Sequence, residues 1–154
     1  MGTDTSSFDM QRNMPLPPAK LWELLIFPAH REKWGVPDPS MVLEMENVDT
    51  RVGGLERHRC GPKDNPEFIA ETRWYDLTVP ERAVFTETLI FGGEAVATSL
   101  VTYALSGDDT STQLFVTVAA SSFSGPETLD EMQAGWGGGL DLLVQYAGQI
   151  HAPS

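Results

Sequence analysis

Three observations predict an α+β fold for this chain. Between Met41 and Ser121, six runs rich in Val, Thr, Ile, Phe and Tyr are separated by short turns of Gly, Pro and Asp. From Gly125 to His151 apolar residues recur every three or four positions, at Leu129, Met132, Trp136, Leu140, Leu143, Ala147 and Ile150. That spacing is one stripe of a single long helix. Ahead of Met41 there is room for one more strand and two short helices. Connectors this short join neighbouring strands in antiparallel fashion. No repeat or long linker divides the 154 residues, so one domain is expected, able to bury about 68–70 per cent of its unfolded surface.

Taken in order, residues 1–7 read as a flexible polar tail and 8–151 as the domain. Phe8 to Met14 alternates weakly and then meets Pro15, Pro17 and Pro18, which marks a first strand ending in a turn. Pro18 suits a helix start, and Leu21, Leu24 and Leu25 share a face with Trp22 beside it until Pro28 stops the run. A second short helix fits Ala29 to Trp34, before Pro37 and Pro39 force an extended turn. The strands then follow as Met41–Arg51, Leu55–Cys60, Phe68–Leu77, Ala83–Phe91, Ala95–Leu105 and Thr112–Ser121.

For the long helix, Pro126 fits the first position, and Ser124 with Glu127 has the form of a capping box. Its middle carries Gly135, Gly137, Gly138 and Gly139 around Trp136. Each glycine costs a helix interior about 0.8–1.0 kcal/mol relative to alanine. The expected compensation is close approach of the helix to the sheet, with Trp136 filling the space between. A phosphate-cradling loop is a poor account, because the run follows no strand and lacks the full GxGxxG spacing.

Composition narrows the function classes. A net charge of −12 argues against nucleic-acid binding and against docking on anionic membranes, both of which need clustered Lys or Arg. No apolar run approaches a transmembrane length and no signal-peptide core is visible, so a cytoplasmic protein is expected. Cys60 is the single cysteine, which excludes an internal disulfide. His30, His58 and His151 lie far apart and form no metal-binding spacing, so neither a metal nor a cofactor is expected. Cys60 as a thiolate beside His58 is disfavoured, since two positions along one strand face separate them by about 6–7 Å.

Four segments carry a resemblance to a known family: Pro17-Pro18-Ala19-Lys20-Leu21-Trp22-Glu23-Leu24-Leu25, Arg51-Val52-Gly53-Gly54, Leu77-Thr78-Val79-Pro80-Glu81-Arg82-Ala83-Val84-Phe85-Thr86, and Gly135-Trp136 with Leu140 and Leu143. In their order and spacing they resemble the START-related helix-grip superfamily (SRPBCC), typified by pollen allergens and polyketide cyclases. The nearest branch looks like the Aha-type activators of heat-shock-protein ATPase. The resemblance covers nearly the whole chain and rests on structural motifs. It implies a seven-stranded, curved antiparallel sheet wrapped around the long C-terminal helix, with two short helices after strand 1. It also implies a cavity between sheet and helix, of the sort that takes lipids, polyketides or similar molecules.

Strand alternation puts Glu56, His58 and Cys60 on one face, and Phe85, Glu87, Leu89 and Phe91 on one face of a later strand. The resemblance turns both sets inward. The expected ligand-binding residues are Trp22, Trp34, His58, Phe68, Trp74, Phe85, Glu87, Leu89, Phe91, Tyr103, Met132, Trp136 and Leu140. Glu56, His58 and Glu87 would form the polar end, or else sit at the rim or pair with Arg57, Arg59 or Arg73. The favoured function is binding of a small hydrophobic molecule. A cyclase or hydrolase using Glu87 or His58 as acid and base, with Glu56 a further candidate, is the alternative. A co-chaperone-like interaction domain ranks third, for want of an additional N-terminal module. A homodimer through an exposed strand or the two small helices is compatible with the pattern.

Overall fold

The computed structural model describes residues 4–151. The chain runs β1 (Asp4–Met14), α1 (Pro18–Ile26), α2 (Pro28–Trp34), β2 (Met41–Asn47), β3 (Leu55–Pro62), β4 (Phe68–Thr78), β5 (Arg82–Phe91), β6 (Glu94–Gly107), β7 (Thr112–Ser122) and α3 (Pro126–His151). All seven strands join one sheet in the order β1-β7-β6-β5-β4-β3-β2, and every neighbouring pair is antiparallel. Register slips at Met45/Asn47, Trp74/Asp76 and Leu89/Ile90 bend the strands. The result is a curved sheet gripping a long helix, as expected.

Two strand ends and one helix cap differ most from the sequence reading. β1 begins at Asp4, so residues 4–7 are strand rather than tail, while 1–3 lie outside the described residues. Asp4 to Ser7 pair with Ser122 to Ala119, and a backbone ladder needs no apolar side chain to advertise it. β2 stops at Asn47, short of Arg51, because the chain there turns to serve a buried carboxylate: Asp49 N–H and the Thr50 hydroxyl both donate to Glu56 Oε2. At the start of α3 no capping box forms. The Ser124 hydroxyl pairs with Thr128 and the Val96 carbonyl, and it is Ser122 Oγ that donates to Gly125 O.

The core forms where the apolar faces meet. α1 buries Leu21, Trp22, Leu24, Leu25 and Ile26, and α3 buries Met132, Leu140, Leu143 and Ala147. Trp34 at the end of α2 is locked to α1 by its indole N–H, which donates to Leu24 O at 2.7 Å. α3 packs against β1, β7 and α2. It therefore sits over one end of the sheet, and the inner faces of β3, β4 and β5 curl past it. That offset leaves a void.

The mid-helix glycines do mark a close approach, but to a different partner from the one expected. A Cβ on Gly138 would lie 2.2 Å from Pro37 O, and one on Gly139 would lie 3.3 Å from Val36 O. Gly135 likewise faces Pro37, and only Gly137 looks toward the sheet, at Met10. Gly135, Gly138 and Gly139 admit the loop after α2 rather than the sheet, where α2 packs beside α3. That loop becomes one wall of the void.

Candidate functional site

The void is a cavity of about 810 Å³ between β3–β6, the α2–β2 loop and the first half of α3. Antiparallel register sets its floor in rows. One row crosses the sheet as Glu56, Thr72, Glu87 and Ser99; the next as His58, Ala70, Leu89 and Ala97; the third opposes Trp74, Phe85 and Val101. Because side chains alternate, the three rows all turn inward. A polar row thus lies between an apolar row and an aromatic one.

Of the residues expected to meet a guest, Trp34, His58, Phe68, Trp74, Phe85, Glu87, Leu89, Phe91, Tyr103, Met132 and Trp136 line the cavity. Trp22 and Leu140 do not; both are buried core, Trp22 within α1 and Leu140 where α3 packs down. The aromatic rings touch in series. Trp74 and Phe85 are 5.0 Å apart between centroids, Phe85 and Tyr103 5.2 Å, and Tyr103 and Trp136 6.2 Å. Such tilted and edge-on contacts hold the rings in place. They make a continuous wall from the sheet to α3. At the mouth, Phe68 and Phe91 stack at 4.9 Å and stay half-exposed.

Glu56 departs from the expected role. It is fully buried and does not face the cavity. Its carboxylate accepts from the Trp74 indole at 2.8 Å, from Thr50 at 2.6 Å and from Asp49 N–H at 3.1 Å, and lies 2.9 Å from Arg31 Nη2. Three hydrogen bonds and an adjacent guanidinium tie this carboxylate into the structure. The Arg57, Arg59 and Arg73 partners considered from sequence lie elsewhere: Arg57 and Arg59 hold Glu46 on the outer face, and Arg73 donates to Gly53 O. The counter-ion of Glu56 is Arg31, a residue sequence reasoning missed. In Ala29-His30-Arg31-Glu32-Lys33 it reads as a solvated helix turn, and only the demand of a buried carboxylate for a positive charge signals it. Arg31 also lies over the Trp74 ring, 5.5 Å from its centroid.

His58 and Glu87 face the cavity rather than the rim. Glu87 is partly exposed and lines the void. Burial pushes its carboxyl up to about 7, with Arg31 pulling the other way. Burial, reinforced by Arg31 and opposed by Glu56, holds His58 down at about 4. The same burial pushes the Cys60 thiol up to about 11, which leaves it a small inert side chain, and raises the Tyr103 hydroxyl too. At neutral pH the polar floor therefore holds a neutral imidazole and a carboxyl poised between its two forms. Such a carboxyl can exchange a proton with a bound molecule. Ser99 Oγ, His58 Nδ1 and two nitrogens of Arg31, Nε and Nη2, are buried without an aligned hydrogen-bond partner; the Arg31–Glu56 contact is close but not linear.

No group of His, Cys, Asp and Glu among the described residues is arranged to hold a metal ion. Among the described residues no helix is long and apolar enough to cross a membrane. The family model described as "Activator of Hsp90 ATPase homolog 1-like protein" matches residues 15–148. Among solved structures, the Mll3558 protein from Rhizobium loti is similar at 25% identity and TM-score 0.79, covering 94% of this chain and 99% of its own. Protein CV1439 from Chromobacterium violaceum is similar at 19% identity and TM-score 0.80, over 96% and 98%. DynU16, a putative protein in the dynemicin biosynthetic locus, is 18% identical with TM-score 0.64, over 91% of this chain and 46% of its own. No functionally curated protein matches the chain.

Proposed function

This chain belongs to the activator of Hsp90 ATPase homolog 1-like family, and on that premise we propose that it binds a small, largely apolar molecule between the sheet and α3. The observation that carries this reading is the cavity itself, about 810 Å³ and walled by contiguous aromatic rings. Small-molecule sites fall in a range of about 300–1,000 Å³, mostly apolar with a few convergent polar groups. Here the convergent groups are Arg31, His58, Glu87 and Tyr103. The neighbour from a biosynthetic locus is in keeping with a small-molecule guest. Native mass spectrometry of freshly purified protein tests the reading, the expected result being a bound species that dissociates on activation. Protein that carries no guest and whose tryptophan emission ignores added apolar probes would remove the proposal.

One observation favours a second reading, in which the cavity turns its guest over. A carboxyl at about 7 inside an apolar site is suited to general acid–base work near neutral pH. On this reading Glu87→Gln abolishes turnover of a co-purifying molecule while the molecule still binds. Turnover that survives the substitution would leave Glu87 a binding group alone.

A further inference from the structure

The charge lining the cavity says more about the guest than its volume does. Arg31 is the one Lys or Arg among the lining residues, whereas Asp38, Glu87 and Glu131 are acidic. Arg31 is already drawn to Glu56, 2.9 Å away, so its charge is answered from behind the cavity wall, although its Nε and Nη2 have no aligned acceptor among the described residues. Glu87 has no ion-pair partner among the described residues, although it lies at the centre of the floor, opposite Thr72 on one strand and Ser99 on the other. The same cavity is lined by the rings of Phe85, Tyr103 and Trp136, while Trp74 already carries Arg31 over its ring. Rings of this kind attract a desolvated cation lying within about 6 Å of their centroids. A guest carboxylate set against Glu87 would meet like charge, and a guest head without an N–H or O–H donor would leave Glu87 unanswered.

We propose that the guest is a cationic amphiphile, an ammonium group on an apolar body, with its charge set against Glu87 and the aromatic wall. This rests on the reading that the cavity encloses an apolar molecule and adds the chemistry of its head. An ammonium brings three N–H donors and no acceptor, which suits a carboxylate beside the Tyr103 hydroxyl. The net charge of −12 draws cations toward the chain as a whole.

Binding should then be linked to the ionisation of Glu87. The titratable groups that line the cavity with it are Arg31 on α2, His58 and Cys60 on β3, Tyr103 on β6, Asp38 in the α2–β2 loop and Glu131 on α3, with Glu56 behind the wall at Arg31. Between pH 5 and 8, His58 and Cys60 stay neutral, their values lying near 4 and 11. Asp38, held down by Ser40, stays ionised across that range. Glu87, at about 7, changes form within it.

The test compares decylammonium, decanol and decanoate, one chain with three heads, by calorimetric titration below their micelle concentrations. At pH 8 decylammonium is expected to bind about tenfold or more tightly than decanol, with decanoate weakest. Its affinity should fall as the pH is lowered from 7 to 5, approaching tenfold per unit, while that of decanol stays level. In Glu87→Gln the ratio of amine to alcohol affinity should drop at least fivefold and lose its pH dependence. Decanol or decanoate binding as tightly as the amine, or a ratio untouched by the substitution, overturns the cationic head and leaves the apolar cavity standing. No binding of any of the three overturns the enclosing of apolar guests on which the proposal depends.

Discussion

Two carboxylates of the inner face show how neighbours decide what one residue type does. Glu56 accepts three hydrogen bonds, lies against Arg31 and is structural; Glu87, in the same row two strands away, meets no donor among the described residues. Removing one partner of a buried, hydrogen-bonded ion pair costs about 3–5 kcal/mol. Glu56→Ala should lose that much in urea denaturation, and pairing it with Arg31→Met should restore part of the loss. A Glu56→Ala protein of native stability would contradict the assignment. Glu87 has the opposite sign. Its folded value near 7 lies above the ordinary 4.5, so its contribution is intact below about pH 4.5 and is lost as pH rises through 7. His58, held near 4 against an ordinary 6.5, contributes fully above 6.5 and loses that contribution as pH falls through 4. Glu87→Gln should therefore melt higher than the parent above pH 7, by on the order of 2 kcal/mol at pH 8, and show no gain below about pH 4.5. A gain that is the same at both ends of the pH scale would exclude the buried carboxyl as its source.

Among the elements, α3 carries the clearest consequence. Gly138 and Gly148 occupy the same helix, yet a methyl on the first would strike Pro37 O while one on the second meets nothing within 4 Å. Gly148→Ala should stabilise by about 0.5–1 kcal/mol, the ordinary gain in a helix interior. Gly138→Ala should instead cost about 1–3 kcal/mol as the loop after α2 is pushed away, and should alter tryptophan emission because Trp34 and Trp136 flank that contact. Equal melting temperatures for the two variants would mean that loop and helix do not meet. The element pattern was largely legible beforehand: ten elements in the right order, with most ends within a few positions. What escaped were ends set by backbone or side-chain partners far along the chain, such as β1 pairing with β7 and the loop at Asp49 and Thr50 bending to Glu56.

For the molecule as a whole, the proposed binding would couple stability to occupancy of the cavity. A guest at about 100-fold its Kd adds about 2.7 kcal/mol to the folded state, a rise of several degrees in the melting temperature for a chain of this size. Decylammonium should raise the melt in this way at pH 8 and by less at pH 5, whereas a rise independent of pH would separate occupancy from Glu87. Buried nitrogens of Arg31 and His58 and the Ser99 hydroxyl lack aligned partners among the described residues, an arrangement more costly than an apolar core.

By itself, the sequence determined the order of the elements, the alternation that groups Glu56 with His58 and Phe85 with Glu87, and the stripe of α3. These are local properties, readable because a strand repeats every two residues and a helix every 3.6. Tertiary structure alone decided that α3 sits over β1 and β7 and leaves β3–β5 uncovered, that Arg31 reaches Glu56, and that Trp22 and Leu140 are core while Trp136 borders the void. Periodicity tells a side chain which way to face; what it finds there depends on segments far away in the chain, brought together by register and packing.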